Sequence, residues 1–141
     1  MSDCVFCRIV AGEIPSTRVY EDEHTLAFMD IGQVNPGHVL VAAKKHAANL
    51  YELDDAQAAA VARTSLRVAR AIRDAFGPEG LSVYQANGKA AGQTVFHYHL
   101  HLLPRHAGDG MELTWPVKNP PREKLEDYAG KIRATLAKPV A

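Results

Sequence analysis

The stretch FHYHLHL, residues 96–102, alternates three histidines with aromatic and aliphatic residues. Such alternation is typical of a half-buried β-strand, because successive side chains of a strand point to opposite faces. His97, His99 and His101 are therefore predicted to share one face, at steps of about 6.6–6.8 Å. The intervening residues are predicted to face the core: Phe96, Tyr98, Leu100 and Leu102. Since histidine serves as base, acid, nucleophile or metal ligand near neutral pH, the histidine face is the candidate active site.

Segments on both sides of this stretch predict an α+β fold. Strands are predicted where β-branched and apolar residues lie between turn signals, over residues 19–21, 25–29, 38–42 and 81–87. Residues 54–76 have helical periodicity, with a capping box at Asp54 and Gln57 and a stop at Gly77-Pro78. Residues 122–136 are expected to form a C-terminal helix. The predicted architecture is an antiparallel sheet of about five strands with one long helix packed on it.

Length and charge restrict the class of partner. With 141 residues, the chain is expected to fold as a single domain over residues 1–141. Sixteen basic and sixteen acidic residues cancel, so no broad positive field favours nucleic acid or an anionic membrane. No stretch approaches the 18 apolar residues of a membrane span, and no secretory signal is recognisable. These features predict a cytoplasmic protein whose partner is a small molecule.

Cys4 and Cys7 are the two cysteines of the chain and have C-x2-C spacing. In a reducing cytoplasm this spacing indicates a metal site or redox chemistry more often than a structural disulfide. A zinc site needs two further ligands, for which neutral imidazoles are the usual supplement. Structural zinc is the favoured interpretation, and a metal-free buried pair or a redox pair are the alternatives.

The three histidines allow two chemical interpretations. They are either three ligands of one metal ion, or a nucleophile that attacks phosphorus beside neighbours that bind the phosphate oxygens. The loop over residues 88–94 favours phosphate chemistry, because glycine lets backbone N–H groups approach an anion while Gln93 and Thr94 add side-chain donors.

The histidine stretch resembles the His-φ-His-φ-His-φ-φ motif of the histidine triad (HIT) family, where φ is an apolar residue. The similarity extends over most of the chain, from the Cys4–Cys7 segment through Gly12-Glu13-Ile14-Pro15 and the residues around Asp30 to Pro104. Members of this family are nucleotide hydrolases and transferases that act on the α-phosphate of nucleoside phosphates. The chain looks like the bacterial proteins of the branch that cleaves adenosine phosphoramidates, which implies a purine nucleotide as ligand and a homodimer.

The resemblance implies a role for individual residues. His99 matches the nucleophile that forms a nucleotidyl-histidine intermediate, and His38 and His101 match contacts to the phosphate. Asp30 matches a carboxylate that accepts from both ribose hydroxyls. Asn87, Gln93 and Thr94 match polar contacts to the phosphate and leaving group, and Gly92 matches a position that gives backbone access to them. Thr94 is also implied as a catalytic residue, and Val95 as a further nucleotide contact. The apolar base pocket is matched by Phe6, Ile9, Phe28 and Ile31.

The same resemblance supplies the two ligands that the cysteine argument lacks. In zinc-bearing members the ligand pattern falls on Cys4, Cys7, His46 and His97, which makes zinc structural and not required for the chemistry. His101 stands where the transferase branch has glutamine, which implies that water is the final acceptor. Three alternatives stay open: a diadenosine polyphosphate hydrolase of the same mechanism, a nucleotide-binding interaction protein with incidental turnover, and a zinc hydrolase that uses all three histidines.

Overall fold

A computed structural model describes residues 3–112 and 114–139, and it confirms the α+β class. Its sheet has five antiparallel strands in the order β1-β2-β3-β5-β4. The strands are β1 Arg18–Glu21, β2 Thr25–Met29, β3 Val39–Ala43, β4 Gly80–Tyr84 and β5 His99–Arg105. The histidine strand therefore lies inside the sheet, between β3 and the edge strand β4.

The described residues also form three α-helices: α1 Val5–Val10, α2 Asp55–Phe76 and α3 Arg122–Leu136. The predicted ends of the long helix are confirmed. Asp54 is the N-cap and forms a reciprocal capping box with Gln57, and Gly77 ends the helix in the left-handed conformation, with φ of 59°.

The central strands β2 and β3 are buried because both faces of the sheet are covered. On one face, Ala27 and Val41 pack with Val61 and Val68 of α2. On the opposite face, Phe28 and Leu40 form a second apolar cluster that includes Phe6 and Ile9. The short helix α1 thus supplies apolar residues to the same face of the sheet that carries the histidines.

The histidine stretch departs from the predicted strand at its start. Strand β5 begins at His99, and the chain bends over residues 95–97. Tyr98 is buried with the α2-side core as predicted, but the prediction for Phe96 is wrong, because 49% of its surface is exposed. The bend turns the His97 ring inward, where its Nε2 donates a hydrogen bond to the Ala43 carbonyl.

The chain divides into two compact units, residues 1–109 and residues 110–141. The first contains the sheet with α1 and α2. The second contains α3, in which the Arg133 guanidinium pairs with the Glu126 carboxylate at 2.9 Å. The prediction of a single domain over the whole chain stays a prediction. Within the described residues, no helix combines the length and the hydrophobicity needed to cross a membrane.

Candidate active site and candidate metal centre

His99 is the first residue of β5, and a backbone carbonyl fixes the state of its ring. Its Nδ1 lies 2.7 Å from the His97 carbonyl oxygen. Because a carbonyl oxygen only accepts, Nδ1 must donate its hydrogen. Burial lowers the pKa of His99 below the ordinary value, so the ring is neutral near pH 7. The Nε2 atom therefore carries a free lone pair, which is the form of imidazole that acts as a nucleophile.

A second group of polar side chains lies beside His99. His38 Nε2 and His101 Nδ1 are 2.9 Å apart and share a hydrogen bond. The Asp30 carboxylate is 3.4 Å from His38 Nε2 and 3.7 Å from His101 Nδ1. Desolvation by burial, followed by the neighbouring His99 and His38, lowers the pKa of His101 to about 4. Burial also lowers the pKa of His38. The pair is neutral near pH 7 and gains affinity for a proton when an anion binds beside it.

The loop that carries Asp30 and His38 is braced by Gln33, a residue that the sequence analysis did not single out. The Gln33 carboxamide donates to the carbonyl oxygens of Asp30 and His38. Its Oε1 accepts from the N–H groups of Gly37 and His38, at 3.0 Å each. A single side chain thus fixes the distance between the carboxylate and the first histidine.

An apolar cavity of about 420 Å³ opens next to these groups. Its volume is within the range of pockets that enclose small organic ligands. The four residues matched to a base pocket all line this cavity: Phe6, Ile9, Phe28 and Ile31. The polar and histidine side of the lining includes Asp30, Thr94, His99 and His101, and Val95 lies in the wall as well. Ile31 lies at the rim with its side chain fully exposed, whereas Phe6, Ile9 and Phe28 are buried. The structure brings together this cavity, which we term the apolar slot, with a carboxylate and the histidines.

A smaller cavity of about 20 Å³ adjoins the large one, and Thr94, His99 and His101 line both. The remaining wall of the small cavity consists of Tyr84, Ala86, Gly92 and Gln93. Within the described residues, the Thr94 hydroxyl has no hydrogen-bond partner. Thr94 is therefore free to contact a ligand at the junction of the two cavities.

The side chains of Gln93 and Asn87, both predicted to contact the phosphate or leaving group, are hydrogen-bonded within the protein instead. The buried Gln93 carboxamide accepts from the Gly88 N–H and donates to the Ala48 and Val95 carbonyls. The Asn87 carboxamide is bonded to the Leu50 N–H and to the Gln85 side chain, and the neighbouring Ala86 lines the small cavity. In this arrangement both amides hold the loop in shape, and Gly92, with φ of 88°, lies at the cavity wall.

Tyr84 is a site residue that the sequence analysis missed. It is the last residue of β4 and is directly opposite His101 in the antiparallel register, so both side chains lie on one face. The two rings meet edge to face, with centroids 5.7 Å apart. The signal that points to Tyr84 is its register position, which depends on the pairing of β4 with β5 and not on the residue itself.

The candidate metal centre lies at the other end of the histidine stretch. The donor atoms of Cys4, Cys7, His46 and His97 all lie within 4.8 Å of one another. The sulfur atom of Cys7 is 3.3 Å from His46 Nδ1 and 3.5 Å from His97 Nδ1, and the two Nδ1 atoms are 3.2 Å apart. For tetrahedral zinc, ordinary bond lengths predict ligand separations of about 3.6 Å for nitrogen to sulfur and about 3.3 Å for nitrogen to nitrogen. The four residues fit a tetrahedral metal ion.

The tautomer of His97, with the hydrogen on Nε2, agrees with a role as a metal ligand. Its Nε2 donates to the Ala43 carbonyl, which leaves the Nδ1 lone pair directed at the two sulfur atoms and His46. Such a hydrogen bond on the second ring nitrogen is typical of metal-bound histidine. Burial and the neighbouring Cys4 raise the pKa of Cys7 to about 11, so its thiol is protonated at neutral pH unless a cation lies beside it.

Comparison with known proteins agrees with this geometry. The family model described as "HIT domain" matches residues 11–108. The chain is 53% identical over 138 residues to "Protein hit" of Bacillus subtilis, covering 96% of this chain and 95% of that protein. It is 40% identical over 134 residues to the protein named adenosine 5'-monophosphoramidase hnt1 of Schizosaccharomyces pombe, covering 94% and 98%.

Solved structures share the fold. The crystal structure of a HIT family member from Bacillus subtilis is 46% identical, has a TM-score of 0.92, and the match covers 97% of this chain and 99% of that one. The crystal structure of a zinc-bound histidine triad family protein from Mycobacterium smegmatis is 37% identical, with a TM-score of 0.74 and coverage of 95% and 98%. These likenesses extend beyond the histidine stretch to nearly the whole chain.

Proposed function

The chain belongs to the HIT domain family, and on that premise we propose that it is a nucleotide hydrolase that cleaves purine nucleoside phosphoramidates of the adenosine 5'-phosphoramidate type, releasing AMP. The observation that carries the proposal is the free Nε2 lone pair of His99 where an apolar slot meets a small polar cavity. The name of the Schizosaccharomyces pombe relative supports this substrate class.

The base and ribose occupy the 420 Å³ cavity in this proposal. The purine packs between Phe6, Ile9 and Phe28, since a flat aromatic heterocycle suits an apolar slot. Asp30 is at the end of the cavity nearest the histidines and accepts hydrogen bonds from the ribose hydroxyls. This arrangement puts the α-phosphate at the junction of the two cavities, beside Thr94 and His101.

In the first step, His99 Nε2 donates its electron pair to the α-phosphorus, and the bond from phosphorus to the amine nitrogen breaks. When the anionic substrate binds, the His38–His101 pair takes up one proton from solvent. The leaving nitrogen keeps the bonding pair and receives this proton. The amine leaves, and an adenylyl group remains on His99. The Thr94 hydroxyl stabilises charge on the phosphate oxygens, while the N–H groups of Ala91, Gly92 and Gln93 are bonded to carbonyl oxygens within the loop.

In the second step, a water oxygen attacks the same phosphorus atom. The water gives one proton to the His38–His101 pair, and the bond from phosphorus to His99 Nε2 breaks. His99 regains its lone pair, and the His38–His101 pair again holds one proton, as it did before the first step. When AMP is released, the pair returns this proton to solvent and becomes neutral. The pair acts as acid in one step and as base in the other.

The metal centre has a structural part in this proposal. Cys4, Cys7, His46 and His97 hold a zinc ion, as their donor atoms and spacing fit, and the zinc-bound Mycobacterium smegmatis neighbour supports the choice of metal. When bound, zinc keeps the cysteines as thiolates and ties three chain segments together. These segments are the start of α1, the residues after β3 and the bend before β5, so the ion holds Phe6 beside His99.

We also propose that two copies associate through the edge strand β4. Its Val83 is 61% exposed and Leu81 is partly exposed, and Leu81 lines one surface cavity together with the exposed Leu66 of α2. An edge strand with exposed apolar residues invites pairing with another chain. Light scattering should give twice the chain mass for the wild type and the single-chain mass for Val83→Lys; a single-chain mass for the wild type contradicts the dimer. The cytoplasmic location and the absence of a nucleic-acid partner stay predictions.

The hydrolase proposal is tested by mixing the protein with adenosine 5'-phosphoramidate and recording intact mass within seconds, without acid. The wild type should gain one adenylyl group, and His99→Ala should gain none. The exposed His24→Ala is the matched control and should behave as wild type. A binding protein gives neither adduct nor AMP.

Two other outcomes identify the remaining alternatives. AMP without an adduct, together with activity that is lost on chelation, supports a zinc hydrolase and contradicts the nucleophile role of His99. Faster turnover of diadenosine polyphosphates than of the phosphoramidate keeps the mechanism and changes the substrate.

A further inference from the structure

Tyr84 contributes a hydroxyl group to the small cavity, at the side away from the apolar slot. Its position opposite His101 on the neighbouring strand places the ring on the histidine face. A Cβ atom added to Gly92 would lie 3.4 Å from the Tyr84 hydroxyl oxygen, so this oxygen lies directly against the loop that wraps the cavity. The arrangement puts a phenol oxygen beside Gly92, Gln93 and Thr94.

The hydroxyl group is oriented by a hydrogen bond. Tyr84 donates to the Ala91 carbonyl oxygen at 3.3 Å. A hydroxyl that donates its single hydrogen in this way keeps its lone pairs as acceptors. The oxygen can therefore accept a hydrogen bond from a group in the cavity, whereas donating to that group would break the bond to Ala91.

The other polar residues that line the small cavity, Gln93 and Thr94, differ from Tyr84 in their hydrogen bonds and position. The Gln93 carboxamide uses both of its N–H groups for the Ala48 and Val95 carbonyls, and its oxygen is held within the loop by the Gly88 N–H. Thr94 lies at the junction with the large cavity, where it faces the phosphate in the proposed mechanism. Tyr84 supplies an acceptor oxygen on the side of the small cavity away from the apolar slot, which is the leaving-group side in the proposed mechanism.

The size of the cavity restricts what it holds. A volume of about 20 Å³ admits one water molecule or one amine nitrogen. We propose that the Tyr84 hydroxyl oxygen accepts a hydrogen bond from the N–H of the departing amine and so selects phosphoramidates over substrates whose leaving atom carries no hydrogen. The inference rests on the hydrolase function proposed above and adds the residue that distinguishes a nitrogen leaving group. No bond is made or broken on Tyr84.

The test compares two substrates that differ in the leaving atom. Adenosine 5'-phosphoramidate has an N–H in the small cavity, and adenosine 5'-phosphorofluoridate has a leaving atom of similar size without hydrogen. Tyr84→Phe removes the oxygen and keeps the ring against His101. It should lower kcat/KM for the phosphoramidate about three- to tenfold, the usual effect of one neutral hydrogen bond, and leave kcat/KM for the fluoridate within twofold.

Tyr51→Phe is the matched control, since Tyr51 is 85% exposed and lines neither cavity, and both rates should stay at the wild-type value. An equal loss on both substrates means that Tyr84 only positions His101, and no loss on the phosphoramidate means that the hydroxyl makes no contact. Either result overturns the proposal. Failure of the hydrolase function itself is distinct, because the wild type would then cleave neither substrate.

Discussion

His97 and His99 lie two residues apart and both contact Phe6, but their surroundings give them different chemistry. The Phe6 ring centroid is 5.9 Å from that of His97 and 4.8 Å from that of His99. His97 donates from Nε2 to the Ala43 carbonyl and presents Nδ1 to two thiols. His99 donates from Nδ1 to the His97 carbonyl, which leaves Nε2 free, and it lines the 420 Å³ cavity. The comparison shows that the backbone carbonyl each ring meets decides which nitrogen is free.

The neighbours of the free nitrogen then decide the function. Sulfur atoms beside His97 Nδ1 favour a soft or borderline metal ion. In the proposed function, the imidazoles and the carboxylate around His99 bind phosphate and ribose and transfer protons. On these proposals, the same residue type serves a structural centre and a reacting centre within one stretch of chain.

The largest expected effect is on turnover by His99→Ala. Removing the nucleophile should lower kcat for adenosine 5'-phosphoramidate by at least about 10⁴-fold, because the imidazole that forms the covalent intermediate is lost. The dissociation constant for AMP should change by less than about tenfold, since the base and ribose contacts lie elsewhere in the cavity. Steady-state kinetics and calorimetric titration with AMP measure the two quantities.

Thermal unfolding of His99→Ala separates chemistry from folding. A melting temperature close to that of the wild type shows that the loss of turnover is chemical. A collapse of AMP binding together with the melting temperature would refute the division between His97 and His99, because it would make His99 structural as well.

A smaller effect is expected from Cys4→Ser combined with Cys7→Ser. The variant should lose bound zinc, and its melting temperature should fall by about 10 °C, which corresponds to about 3 kcal/mol for a chain of this size. Per folded molecule, kcat/KM should stay within about tenfold of the wild type, because no ligand of the centre reacts with substrate. Metal analysis, calorimetry and kinetics below the transition provide the measurements. Zinc retained by the variant, or activity lost in proportion to zinc, contradicts a purely structural centre.

The sequence predicts the parts of this comparison that depend on local pattern. The alternation of histidine with apolar residues identified β5, and Asp54 with Gln57 identified the start of α2. The two cysteines at C-x2-C spacing indicated a metal site, and the family resemblance supplied His46 and His97. Each of these signals lies within a few residues of chain or within a motif.

The rest depends on contacts between distant segments. The bend before His99 exposes Phe96, because His97 turns to meet the Ala43 carbonyl rather than continuing the strand. Tyr84 becomes a site residue only through the register of β4 with β5. Gln33 holds the loop between Asp30 and His38 through hydrogen bonds to four backbone groups of that loop. The amino-acid composition does not reveal these bonds.

The smallest expected effect is the contribution of His101 to acid sensitivity. In the folded protein the pKa of His101 is lowered to about 4 by burial and by His99 and His38, while Asp30 opposes the shift. The unfolded chain has the ordinary value near 6.5. Between the two values the unfolded state binds the proton and the folded state does not, so acidification favours unfolding. The stability that the neutral ring provides is complete above about pH 6.5 and is lost as the pH falls toward 4.

Substituting His101→Asn removes this proton linkage. Between pH 7 and pH 5 the wild type should lose about 2 kcal/mol more unfolding free energy than the variant, as measured by urea denaturation at each pH. His24→Asn, at an exposed position, should lose as much as the wild type. Equal losses in all three proteins would mean that His101 is not held neutral by its surroundings. The proposed mechanism would then lose one of its premises, which is that His101 is neutral in the free protein and takes up a proton when the anionic phosphate binds.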